Sequence, residues 1–120
     1  MPHVIVEGPL NISAIAASFQ PIGKTGAEPI VKVSTCLISK QEKRLLLECL
    51  VVERRLTKKF YVRIDQRKGG VKISLDPLTD HEKTAGVKTA IALVAGQVCG
   101  MHDENRYGNT NLQDYLNEQR

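Results

Sequence analysis

The chain has no tryptophan, and its aromatic residues are three tyrosines and two phenylalanines among 120 residues. Its core must be built from Val, Ile, Leu and Ala, and few rings remain as platforms for stacking bases. Cysteine is also scarce: Cys36, Cys49 and Cys99 form an odd set at wide spacings. That argues against a disulfide framework and against a zinc knuckle, which need paired or closely spaced thiols. Cys36 and Cys49 sit in strand-like runs and read as small core or edge residues. No stretch approaches the roughly 18 consecutive apolar residues of a membrane helix. No basic leader followed by an apolar run opens the chain, so the expectation is a cytoplasmic protein without membrane contact. Internal repeats and low-complexity segments are absent. No cofactor is expected, and Cys99, His102, Asp103 and Glu104 lack the second half-site that a metal site needs, so no metal is expected either.

What is present is an ordinary folded composition, 42% hydrophobic and 25% charged, with a formal charge of +4 and a pI near 9.1. A chain of this length makes one core and one domain, placed here over residues 1–100 with a polar tail over 101–120. The basic balance leans towards polyanionic partners.

Alternation of Val4 and Val6 predicts a first strand over His3–Glu7, closed by Gly8-Pro9. Asn11 is a good N-cap, and Leu10, Ile12, Ile15, Ala16 and Phe19 share one helical face, which predicts a short helix to about Gln20. The segment PIGKTGAEP, including a GKTG that lacks the full phosphate-loop spacing, reads as a loop. Strands follow over Ile30–Ile38 and Arg44–Glu53, the first with Val31, Val33, Thr35 and Leu37 on one face. Leu45 to Leu47 and Leu50 to Val52 are consecutive apolar residues. The second strand therefore has apolar surface on both faces, to be covered by another subunit or by the tail.

After a turn around Arg55 to Thr57 comes KKFYVRIDQRKGGVKISLD, two strands about Gly69-Gly70. Phe60, Val62, Ile64, Val71, Ile73 and Leu75 point one way, and Lys59, Tyr61, Arg63, Asp65, Lys72 and Ser74 the other. Asp76-Pro77 stops the sheet, and Thr79 with Glu82 forms a capping box for a second helix. That helix has a stripe of Val87, Ile91, Val94 and Val98 and ends at Gly100. The tail is polar enough to be loosely ordered, or Leu112, Tyr115 and Leu116 give it one amphipathic turn or two that dock on the body or a neighbour. The expected fold is an α+β two-layer sandwich in the order β-α-β-β-β-β-α, with both helices on one face of a curved antiparallel sheet.

This order resembles the TATA-binding-protein-like fold, whose half-domain has the same succession over what are residues 3–99 here, in topology only. The resemblance implies that the open face of the sheet takes the ligand, duplex DNA in the name-giving case. The intercalating phenylalanine pairs of that family have no counterparts in this chain. A second likeness is confined to MPHVIVE, which looks like the opening strand of the proline tautomerases, particularly the carboxymethyl-hydroxymuconate isomerases. It implies removal of Met1, a Pro2 amine acting as general base, and Lys32 or Arg63 holding a substrate carboxylate. After those seven residues the family's long helix and parallel strand are not found.

The candidate binding residues are Lys32, Lys59, Tyr61, Arg63 and Lys72 on the open face, with Arg44 or Arg54 at its rim. Cations on neighbouring strands suit successive phosphates, while Glu48, Glu53 and Asp65 lie among them. The pattern fits a solvated sheet face as well as a binding surface. The favoured expectation is a non-enzymatic binding or assembly module for nucleic acid or an acidic protein, with self-association through excess apolar surface. The rival expectation is an isomerase that uses Pro2.

Overall fold

A computed structural model describes residues 2–77 and 82–118. The elements are β1 (His3–Glu7), α1 (Ile12–Ser18), β2 (Ile22–Lys24), β3 (Ile30–Ile38), β4 (Arg44–Glu53), β5 (Leu56–Arg67), β6 (Gly70–Leu75), α2 (Ala85–Cys99), β7 (Arg106–Thr110) and α3 (Gln113–Glu118). All seven strands join one curled sheet in the order β2-β3-β4-β5-β6-β1-β7, and every pairing is antiparallel. The α+β class and the antiparallel meander are thus as the alternation indicated. Among the described residues no helix is long and apolar enough to cross a membrane.

The core lies in the curl, between the sheet and the helices. Val4, Val6, Val31, Val33, Leu45, Leu47, Val62, Ile64, Val71, Ile73 and Leu75 are fully buried on the sheet side, and Val87, Ile91, Val94 and Val98 on α2 meet them. Burial of an aliphatic side chain of this size stabilises by about 1.5–3 kcal/mol, so this interior dominates the fold. Two glutamine amides tie the chain around α1 to this body. Gln66 accepts from the Ile12 N–H at 3.1 Å and donates to the Leu10 carbonyl at 3.1 Å; Gln97 accepts from the Gln20 N–H at 2.7 Å and donates to its carbonyl at 2.9 Å. A primary amide offers the same donor and acceptor as a peptide group, so each completes a local ladder.

Four expectations are corrected. The segment PIGKTGAEP is not all loop, because Ile22–Lys24 pairs with Val31–Val33 as an edge strand. The strand at Ile30–Ile38 does not alternate evenly. Val33 faces Cys49 and Thr35 faces Glu48, so Ser34 is an extra residue that forms a β-bulge. Beyond it the faces exchange: Cys36 packs against the core, and Leu37 turns outward to 48% exposure.

The second helix begins later than a Thr79–Glu82 box places it. Thr79 lies outside the described residues, and Glu82 precedes the helix, which is capped by Thr84 accepting from the Val87 N–H at 3.3 Å. Tertiary packing selects this start. The Glu53 carboxylate of β4 accepts the Gly86 N–H at 3.0 Å, and a Cβ on Gly86 would run into the Val51 side chain. Burial works to raise the Glu53 pKa, but hydrogen bonds from Thr84, the Gly86 N–H and Lys58 outweigh it, and the net shift is downward.

Finally, the described part of the tail, residues 101–118, docks on the body rather than hanging loose. Residues 106–110 pair with β1 as β7, and α3 packs on α2 with Leu112 and Leu116 buried. α3 lies on the helical side and β7 at the far edge of the sheet from β4, so neither covers the outer face of β4.

Candidate functional site

The outer face of the sheet collects the candidate cations, and strand register divides them into two groups. On β3, β4 and β5, Lys32 pairs with Leu50 and Leu50 with Lys59, which sets two exposed lysines on either side of a half-buried leucine in one cross-strand row. Strands two apart put their Cα atoms roughly 10 Å from one another. In the next row Glu48 and Tyr61 pair on this face, about 7 Å further along at two residues per step.

Here the Tyr61 hydroxyl donates to Glu48 Oε1 at 3.2 Å. Glu48, by accepting that proton and by its charge, holds the Tyr61 pKa above its usual value. The phenol therefore stays a donor, and the carboxyl oxygens of Glu48 have acceptor capacity left over. Between the two rows is an open pocket of about 350 Å³ lined by Ser34, Glu48, Cys49, Leu50, Lys59, Phe60 and Tyr61. Ser34, the bulge residue, sits at its edge.

Arg63 and Lys72 lie elsewhere. The row of Arg63 contains Leu46 and Ser74, four residues along β4 from that of Lys32, or roughly 13 Å. Arg63 Nε is 2.8 Å from Asp65 Oδ2, Arg63 Nη1 is 3.9 Å from Asp76 Oδ1, and Arg44 Nε is 2.6 Å from Asp65 Oδ1. Two arginines and two aspartates thus form a charge-balanced cluster at this end. Lys72 is half-buried and pairs in register with the same Asp65. The five candidates therefore do not gather at one place: Lys32, Lys59 and Tyr61 come together, while Arg63 and Lys72 lie at the end that holds Asp65. Pro2 is buried beside the start of β1.

One feature of the Lys32–Lys59 end was missed in the sequence. Glu53 pairs with Leu56, so Arg54 and Arg55 alone make the β4–β5 turn, and both have positive φ, 52° and 65°. Two-residue hairpins of this hand favour Asn-Gly, and a larger side chain in the left-handed region costs about 1–2 kcal/mol. The Arg54 N–H donates to Glu28 Oε2 at 3.2 Å, which helps to hold the turn. Two arginines in a strained tip stand at the same end of the strands as Lys32 and Lys59. The exact two-residue spacing between strands was the available signal, but alternation alone left the turn one or two residues out of place.

The thiols are not poised for chemistry. Burial pushes the Cys49 thiol up to about 12, against a lesser opposing effect of a backbone hydrogen bond at Val62, and burial also raises Cys36 and Cys99. Among the described residues no group of three or more His, Cys, Asp or Glu side chains is placed to hold a metal ion. No family model, curated protein or solved structure matches the chain.

Proposed function

We propose that the protein is a small binding module that uses the Lys32–Lys59 end of its open sheet face to take an anionic partner, and that this partner is nucleic acid. The observation that carries the reading is the register that aligns Lys32, Leu50 and Lys59 in one row beside the Tyr61 pocket. Lysines at this spacing act as point charges for a phosphate backbone. The Arg54–Arg55 tip adds to the same field. Leu50 and the Tyr61 ring add apolar surface next to the cations, a combination that suits bases attached to phosphates better than acidic side chains.

The test is fluorescence anisotropy with a labelled mixed-sequence oligonucleotide, single-stranded and duplex, over a series of salt concentrations. Binding that weakens steeply with salt and is lost in Lys32→Glu and Lys59→Glu supports the reading. Binding to an acidic peptide alone, or to neither, overturns it.

A second reading, self-association, is favoured by a different observation. Leu37, 48% exposed, pairs with half-buried Leu46 on the outer face, and apolar side chains grouped in this way mark contact surfaces. Sedimentation of wild-type protein and Leu37→Lys tests it: a dimer that the substitution dissociates supports the reading, and a monomer at high concentration removes it.

A further inference from the structure

We propose that the pocket beside the Lys32–Lys59 row takes one unstacked base of a single strand, and that Glu48 selects a base with an exocyclic amino group. The inference rests on the nucleic-acid reading above and goes further by naming the kind of strand and base.

The volume of about 350 Å³ falls at the lower end of the range of small-molecule sites, about 300–1,000 Å³. A base within a duplex offers only its edges to a protein, and its flat face is reached only when it leaves the stack. A pocket sunk between two rows of a sheet therefore fits an unpaired strand. The phosphates meet Lys32 and Lys59. The base lies along the sheet towards Glu48 and Tyr61, about 7 Å away at two residues of strand, a separation that the intervening sugar spans.

The selectivity comes from the donor and acceptor inventory. Tyr61 donates its only hydroxyl proton to Glu48 Oε1 at 3.2 Å, so the pair lining the pocket has acceptor capacity to spare on the carboxyl oxygens. Cytosine and adenine carry amino donors that match it, whereas thymine and uracil carry a carbonyl at the corresponding position of cytosine's amino group, which faces it acceptor to acceptor. Leu50 gives the ring an apolar contact on the side of the lysines. Glu48 itself repels phosphate, which keeps the backbone in the lysine row and the base in the other.

The experiment compares oligonucleotides of equal length made of deoxycytidine, thymidine or abasic sites, and a duplex, at one salt concentration. Wild-type protein should bind the cytidine strand about tenfold more tightly than the thymidine strand, and both more tightly than the abasic strand or the duplex. In Glu48→Gln, at an exposed position that leaves folding intact, the preference for cytidine should fall to about twofold or less, since the amide presents a donor as well as an acceptor. Tyr61→Phe should weaken the preference and leave the salt dependence unchanged.

Equal binding of the cytidine, thymidine and abasic strands overturns the pocket assignment while leaving the nucleic-acid reading in place. A cytidine preference that survives Glu48→Gln overturns the role of Glu48. Equal or tighter binding of the duplex overturns the single-strand assignment. Binding of no strand at any salt removes the reading on which the inference rests, and the inference with it.

Discussion

The two ends of the open sheet face both carry cations and carboxylates but arrange them differently. At one end Arg44 and Arg63 converge on Asp65, and Arg63 also approaches Asp76, so that two positive and two negative groups hold one another. At the other end Lys32, Leu50 and Lys59 share one cross-strand row, and in the next row Glu48 accepts a hydrogen bond from the Tyr61 hydroxyl. The difference shows that a run of cations along a strand does not measure the field above a sheet. Partners on neighbouring strands set it, and those partners follow from register. The first end is suited to holding the sheet together, and the second is the one proposed to meet a ligand.

The comparison breaks most sharply on Asp65. Asp65→Ala leaves two arginines without their shared carboxylate and should lower unfolding stability by about 2 kcal/mol in urea titrations. That is below the range for a fully buried pair, because Arg63 and Asp65 keep 21% and 20% of their side-chain surface exposed. Ligand affinity should change little. Lys59→Glu should do the reverse, weakening oligonucleotide binding about tenfold at low salt and lowering stability by less than Asp65→Ala does. If the two substitutions had matching effects on both readouts, the division of the face into two halves would be wrong.

A smaller change sharpens the picture of the arginine tip. Arg55→Gly removes the penalty of a positive φ and should raise stability by about 1 kcal/mol, visible as a higher thermal midpoint, while reducing affinity for a single strand. The smallest effect is the pH dependence of Glu53, which lies off the open face. Its folded pKa is held below the ordinary 4.5, so its contribution is complete above that value and is lost as pH falls through the lower folded pKa. Glu53→Gln should therefore be less stable than wild type at neutral pH, and the gap should narrow on acidification below about 4.5, measured by parallel urea titrations.

Much of the fold was readable in the residues because periodicity is a local signal. The alternation at Phe60, Val62 and Ile64 predicts the core face of β5, and all three are buried. The spacing of Val87, Ile91, Val94 and Val98 likewise predicts the inner face of α2. Asn11 caps α1 as its type suggests, accepting from the Ala14 N–H at 2.8 Å. The weaker elements were not readable. Three residues at Ile22–Lys24 and five at Arg106–Thr110 carry little pattern of their own, and they become strands because β3 and β1 offer unpaired edges.

The amino-acid sequence by itself determined most of the side chains that leave water, roughly where the chain turns, and that Lys32, Lys59, Tyr61, Arg63 and Lys72 share the outer side of the sheet. Those properties depend on neighbours a few residues away. Only the tertiary structure decided which of these residues stand together. An extra residue at Ser34 shifts one strand against the next, a turn confined to Arg54 and Arg55 sets the pairing of β4 with β5, and Asp65 lies within reach of two arginines. Cross-strand register is a long-range property, and moving it by one residue would exchange the two faces of a strand; the composition of the site depends on it in the same way.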